Sequence, residues 1–357
     1  MRRPALTVAA SLVVLGAMAS GLAFLDLGNP LIRNLPADSE PRRAYEEVSK
    51  GFAPGVIAPV TIVVDRPGIT REREALRSLQ ATLGNQPGVA GIIGPATSPE
   101  ELRLGAVRSP TGDAVRFVLV GEADPLGADA VRRLDNLRAR MPDLLEAVGL
   151  PGAQASFAGD TALVEEVIAG VNGDLWKVTP AVLLAVALIV GVFLRALVAP
   201  LYLVLLAAMG PAAALGLAVG VFQGLAGQPE ITHYVPIVAT VLLVALGSDY
   251  NVFLAGRIWA EAHRLPLREA IVAGGTGAAH AIAAAAIVLA ASFAALALVP
   301  LDAFRELAFV LAAGLIIDAF LVRAVLAPAV IALVGERSAW PRRSLRAPRA
   351  RAGSPTA

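Results

Sequence analysis

Six stretches of chain, each about as long as a bilayer crossing, constrain this sequence more than anything else in it. They run Leu6–Leu25, Val178–Leu194, Ala196–Phe222, Tyr234–Gly256, Gly274–Leu301 and Leu307–Val334. At 1.5 Å rise per residue, about 20 apolar residues cross a ~30 Å hydrocarbon core, and a helix satisfies its own backbone polar groups there. Of the 357 residues 56% are hydrophobic and 17% charged, with a mean hydropathy of +0.68. One water-soluble core does not need that excess, so the excess faces lipid. The first run has Arg2 and Arg3 before it and the small residues Ala17-Met18-Ala19-Ser20-Gly21 near its end, as a cleaved signal peptide would. Its apolar length exceeds the usual ~7 to 15 residues of such peptides, which favours an uncleaved first helix over residues 1–25.

Residues 26–175 change character, with an excess of about six acidic over basic residues, and read as a water-facing domain. The expected order is strand (Val56–Val64), helix (Thr70–Leu83), strand (Val89–Ile93), strand (Ala114–Val120), helix (Gly127–Val148), strand (Gln154–Phe157). That is a βαββαβ, ferredoxin-like α+β unit inserted between the first two membrane helices. Val115, Phe117 and Leu119 alternate with Arg116 as a half-buried strand does, whereas Leu76, Leu79 and Leu83 form a helical stripe with Thr70 placed to cap it. Pro142 is expected to kink the second helix.

Residues 176–335 then hold helices two to six. Arg195, then Arg257, Arg264 and Arg268, then the arginine-rich tail fall alternately on the side of Arg2 and Arg3, while the Gln223–His233 connection has no Lys or Arg. The positive-inside rule puts both termini in the cytoplasm and the domain outside. The stretch Ile258–Ile271 mixes charge with apolar residues and reads as a segment lying along the inner surface, broken at Pro266. The basic tail, 336–357, reads as disordered.

Several function classes drop out. A formal net charge of +1, without basic runs interleaved with aromatics, is not that of a nucleic-acid partner. Without cysteine there are no disulfides, thiolate metal sites or cysteine nucleophiles, and His233, His263 and His280 lack metal-ligand spacing. No cofactor other than a proton gradient is expected.

The chemistry concentrates in the membrane helices. Asp249 lies deep in the fourth run, where an ionised carboxylate costs ~2.5 to 3.5 kcal/mol, so a partner or a proton must compensate it. Tyr250 follows about 100° round the helix, and Gly247 and Ser248 permit close helix approach. In the last run Asp318 and Arg323 are five residues apart, about 140° round an α-helix, and are expected not to pair; Arg323 is equally readable as snorkelling to the cytoplasmic face.

The run GSDYNVFL at Gly247–Leu254, followed by Arg257 and Glu261, resembles the signature of the mycobacterial membrane protein large (MMPL) family of the resistance-nodulation-division superfamily. The resemblance extends to IIDAFLVRAVLAPAVIAL at Ile316–Leu333, the closing Gly335-Glu336-Arg337 with Trp340-Pro341, the domain entry at Leu35-Pro36, Phe52-Ala53-Pro54-Gly55 and Pro59, and AGDTALVEEV at Ala158–Val167. It implies a proton-driven exporter of lipids or hydrophobic metabolites in the plasma (inner) membrane, not an enzyme, with the outer domain as porter. Asp249 and Tyr250 take the proton-relay role, Asp318 and Arg323 the supporting polar positions, and Arg257 and Glu261 structural positions at the cytoplasmic edge. The family's usual member has two such halves and about twelve helices, whereas this chain carries one. The partner implied is therefore a second copy or another MMPL half, with Asp249 of one reaching Tyr250 of the other, beside membrane lipids and a hydrophobic cargo. The fifth run, AIAAAAIVLAAS at Ala281–Ser292, is poor in the hydroxyls that relatives carry. Other readings are an accessory subunit assisting protein translocation, an inactive truncated half and, more remotely, an intramembrane aspartyl protease using Asp249 and Asp318.

Overall fold

A computed structural model describes residues 3–97 and 107–341. In chain order the elements are α1 (Pro4–Ala19), β1 (Leu27–Gly28), α2 (Glu40–Gly51), β2 (Val60–Asp65), α3 (Arg73–Gly84), β3 (Val89–Ile93), β4 (Ala114–Gly121) and α4 (Ala128–Ala147). They continue with β5 (Gln154–Ala158), α5 (Asp160–Leu194), α6 (Val198–Ala218), β6 (Ile231–Thr232), α7 (Val235–Ala262), α8 (Leu267–Ala294), α9 (Asp302–Ile316) and α10 (Ala327–Val334). The chain is mainly helical, with a small sheet region, and forms two compact units. One takes residues up to Leu25, Gly173–Gln228 and those from Tyr234 onward; the other takes Asp26–Asn172 and Pro229–His233.

Six helical spans are long and apolar enough to cross a membrane: Pro4–Phe24, Asp160–Leu194, Val198–Leu225, Val235–Ala262, Leu267–Leu298 and Asp302–Ala339. The chain is a multi-pass membrane protein. Ile258–Ile271 is not a surface helix, however: α7 runs on through Ala262, a turn at His263–Pro266 follows, and Leu267 already opens α8. Its charges belong to two helix ends, and Pro266 sits as N-cap, where a missing N–H costs nothing. The expected disorder also fails for Glu336–Ala339, a 3₁₀ turn in which Ser338 is buried and its Oγ accepts the Tyr202 hydroxyl at 3.2 Å. The rest of the tail from Arg342, like Arg2, lies outside the described residues.

In the other unit four strands stand in the order β3-β4-β2-β5, every neighbouring pair antiparallel. The alternation seen in sequence is the register itself: Phe117 pairs with Ile62 on the buried side, and Arg116 with Val63 on the other. Ile62, Val64, Val115 and Phe117 meet Leu76, Leu79 and Leu83 of α3 and Leu137, Met141 and Leu145 of α4 in one core. Each such side chain contributes ~1.5 to 3 kcal/mol when fully buried. Thr70 is not the cap of α3; its hydroxyl donates to Gly112 O at 3.0 Å, and the α-helix starts only at Arg73, after a 3₁₀ turn at Ile69–Arg71. Pro142 sits inside α4, which runs unbroken to Ala147.

The helix α5 is continuous from Asp160 to Leu194, so residue 175 is no break in the chain's path and the division between the units falls at Asn172 and Gly173. Gly159 before it has φ +107°, and a Cβ there would lie 2.7 Å from Pro59 O, so this tight strand-to-helix turn requires glycine. Two features have no counterpart in the sequence reading: α2, and the two-residue parallel pair of β1 with β6, which ties part of the connection between α6 and α7 to the start of the domain.

Candidate functional site

The last membrane span is not α-helical throughout. Between α9 and α10 the segment Ile317–Leu326 winds as a π-helix. Its i→i+5 hydrogen bonds set residues five apart above one another, where an α-helix would turn them ~140° away. Asp318 and Arg323 are five apart. Contrary to the sequence expectation they therefore pair, Arg323 Nε donating to Asp318 Oδ2 at 2.9 Å, and Arg323 does not snorkel. Asp318 is 6% exposed and Arg323 1%, so this ion pair is inside the bundle.

A buried guanidinium needs more than one carboxylate. Arg323 Nη1 also donates to Asn251 Oδ1, on α7, and the Asn251 amide in turn donates to Leu203 O of α6 at 3.4 Å. The arginine carbon sits 6.0 Å from the centre of the Tyr250 ring, within cation–π range. Nη2 has no hydrogen-bond partner among the described residues. Room for the group comes from small residues: a Cβ on Gly247 would lie 3.1 Å from Nη2 and 3.4 Å from Asp318 Oδ2, and one on Gly210 would lie 3.6 Å from Asp318 Cβ. Three helices thus close on one charged pair because two of them carry glycine where they face it.

Asp249 is placed differently. It is exposed on α7, and among the described residues no hydrogen bond or ion pair engages it. Tyr250 is half-buried, its ring toward Arg323, and no hydrogen bond engages its hydroxyl among those residues. Ser248 is tied to its own helix, donating to Ala245 O at 2.7 Å. The sequence-predicted residues therefore divide: Asp318, Arg323 and Tyr250 come together, and Asp249 stands on the outer face beside them. Arg257 lies 5.4 Å from the Phe253 ring centre, and the Glu261 carbonyl accepts Arg264 and Leu265 N–H; the two side chains form no ion pair with one another among the described residues.

Sequence reasoning missed Asn251. Its signal was present, an amide in a largely apolar run two residues after Asp249. It also missed Glu230, in the α6–α7 connection, which is buried in the sheet-bearing unit. Glu230 pairs with Arg33, and its Oε2 accepts the Ala128 N–H at the start of α4 at 3.3 Å, while Arg33 also reaches Asp124 at 2.8 Å. Burial pushes the Glu230 carboxyl above its ordinary value, and Arg33 opposes that only in part.

Six spans and an ion pair held between helices by glycines and an asparagine define a multi-pass membrane protein whose buried polar chemistry lies between its helices. The chain belongs to the MMPL family, whose model matches residues 34–352. It is 28% identical over 342 residues to a putative membrane protein of Streptomyces coelicolor, covering 96% of this chain and 39% of that protein. To the apo-petrobactin exporter of Bacillus anthracis it is 26% identical over 344 residues, 96% of this chain and 44% of the exporter. To the sulfolipid-1 exporter MmpL8 of Mycobacterium tuberculosis it is 34% identical over 232 residues, 65% of this chain and 21% of the relative. The chain thus spans well under half the length of these relatives.

Proposed function

We propose that this chain is one module of a proton-driven exporter that moves lipids or other hydrophobic metabolites across the plasma membrane. The observation that carries the reading is the placement of Asp249: an acid on the outward face of an apolar helix, one residue from a tyrosine that touches a buried Arg–Asp pair. A carboxylate facing hydrocarbon costs ~2.5 to 3.5 kcal/mol. It is relieved by taking up a proton or by a second module that covers it, and an exporter uses both. In this reading Asp249 exchanges the proton, the Tyr250 hydroxyl relays it, and Arg323, fixed by Asp318 and Asn251, answers the change in charge. The proton gradient is the only cofactor required.

The covering partner is a second copy or another MMPL module, approaching along the face of α7 that carries Asp249. The strand order and the antiparallel pairing support reading the outer unit as a ferredoxin-like porter domain on the side opposite the arginine-rich loops, with both termini cytoplasmic. The names of two relatives, exporters of apo-petrobactin and of sulfolipid-1, support export as the activity.

The test is gradient-dependent export of a lipid extract from cells holding wild type or Asp249→Asn, with insertion of both verified. Loss of an exported species in the mutant alone is expected, on the order of 100-fold or more, because asparagine keeps the shape and cannot carry a proton. Equal export by both proteins would rule out Asp249 as the relay.

A further inference from the structure

The unit of Asp26–Asn172 carries a half-open cavity of about 470 Å³, within the range of small-ligand sites. Its apolar wall is built by Val60, Val89 and Leu119 of the sheet and by Leu134 and Leu137 of α4, and Gln86 and Asn136 add polar groups at its side. Two cations lie on it, Arg133 and Arg140, about two turns apart on the same helix. Each keeps donors free. Arg133 uses Nε on Asp129 at 2.7 Å and folds back over Gly88, whose missing Cβ would lie 2.6 Å from Nη1. Arg140 uses Nε on Asn136 O at 3.2 Å and Nη2 on Gln86 Oε1 at 3.0 Å. The other guanidinium nitrogens enter no hydrogen bond among the described residues.

A second observation is independent of the arginines. Thr161, from the AGDT run that opens α5, also lines the cavity, is 2% exposed, and its Oγ1 has no hydrogen-bond partner among the described residues. A buried hydroxyl left unmatched costs about 1 to 3 kcal/mol, and valine would fill the same space without that cost. An apolar chamber with one unmatched hydroxyl and two cations matches a molecule with an apolar body, an oxygen for Thr161 and a negative head for the arginines.

We propose that this cavity binds an anionic amphiphile, a carboxylate, phosphate or sulfate on an apolar chain, with the chain against Val60, Leu119, Leu134 and Leu137, the head on Arg133 and Arg140, and an oxygen bonded to Thr161 Oγ1. The proposal rests on the exporter reading only in naming this ligand the cargo. Binding itself needs no gradient.

The experiment photolabels the full chain in neutral phosphatidylcholine vesicles, at equal pH on both sides, with a diazirine-bearing palmitic acid and with the matching alcohol. Labelled peptides are mapped by mass spectrometry, and melting temperatures verify that every variant folds. The expected result is labelling of the segments Gln86–Val89 and Ala130–Arg140 by the acid about 10-fold above the alcohol, the size of effect that charge-assisted hydrogen bonds give. Ala130→Phe, which fills the cavity edge, should lower it about 10-fold. The Arg133→Gln/Arg140→Gln double variant should bring the acid down to the level of the alcohol. Thr161→Val should lower acid labelling several-fold while leaving the melting temperature unchanged or raised. Equal labelling by acid and alcohol in wild type overturns the proposal, as does acid labelling of these segments that survives both Ala130→Phe and Thr161→Val. Either outcome leaves the export test on Asp249 standing, and a chain inactive in export can still bind the acid here.

Discussion

The two units of this chain are built on opposite rules. In the sheet-bearing domain Phe117, Leu79 and Met141 are buried and the charges lie outside, in pairs such as Arg138–Glu165 and Arg133–Asp129. In the membrane unit Leu188, Val192, Leu201 and Leu205 are exposed, and the charged side chains of Arg323, Asp318 and Glu306 are buried. One alphabet is read against two solvents. Water drives apolar side chains together, whereas lipid gives them no such reward, so in the bundle close packing of small residues and polar contacts hold the helices. The lesson is where chemistry can be placed: in the domain a charge at the centre would be a defect, and in the bundle the centre is where a charge is shielded from lipid.

That contrast is broken most sharply at Arg323. Arg323→Leu leaves Asp318 buried and unpaired, which costs about 3 to 5 kcal/mol. Replacing both, Asp318→Leu with Arg323→Leu, should recover most of that stability, since apolar replacement of a whole buried pair is often neutral or better. Thermal unfolding in mild detergent reads both. A double variant as unstable as the single one would mean that the pair holds the bundle together, rather than being a charge the bundle tolerates for function.

Much of this arrangement was legible beforehand and some was hidden for physical reasons. The six spans were legible because an uninterrupted apolar run has few alternatives to a membrane helix, and the four strands because Val115, Phe117 and Leu119 keep their period of two. Long helices hid their ends: α5 starts at Asp160, well before its apolar run at Val178, since charged Glu165 and Glu166 are helix formers and conceal the join. The Asp318–Arg323 pair was hidden because separation along a sequence converts to an angle only once the helix type is known, and the residues of Ile317–Leu326 suit an α-helix as well as a π-helix. Glu230 was hidden because it is buried by chain far away in sequence, Arg33 and Ala128, which no local pattern reports.

A smaller effect sharpens the packing half of the comparison. Gly247→Ala would put a methyl 3.1 Å from Arg323 Nη2 and 3.4 Å from Asp318 Oδ2, closer than most carbon contacts but not impassable. The expected cost is about 1 to 3 kcal/mol, the range for overfilling a packed interior. In cells holding an active exporter, export should fall by more than the melting temperature suggests, because the methyl moves the arginine that Tyr250 touches. Unchanged export and stability together would show that the Arg323 site has slack, and that glycine there serves no purpose in positioning it.

The smallest effect concerns a residue by which the domain departs from its own rule. Glu230 is a buried acid, as Asp318 is, but it sits in the sheet-bearing unit. Its carboxyl is held above the ordinary 4.5, by burial first, against the opposing pull of Arg33 and the Ala128 N–H. A folded-state pKa that is raised means the folded chain binds more protons than the unfolded one between the two values. The stabilising share is complete below about 4.5 and is lost as pH rises through the folded value. Glu230→Gln carries a permanently neutral group in the same shape, with Asp124 still beside Arg33. The melting temperature of the variant minus that of wild type should therefore widen as pH rises from 4.5 and then level off, by a modest amount because Arg33 offsets part of the burial. A gap that narrows over the same range would show the ion pair to outweigh burial, making Glu230 and Arg33 a stabilising clasp instead of a tolerated charge.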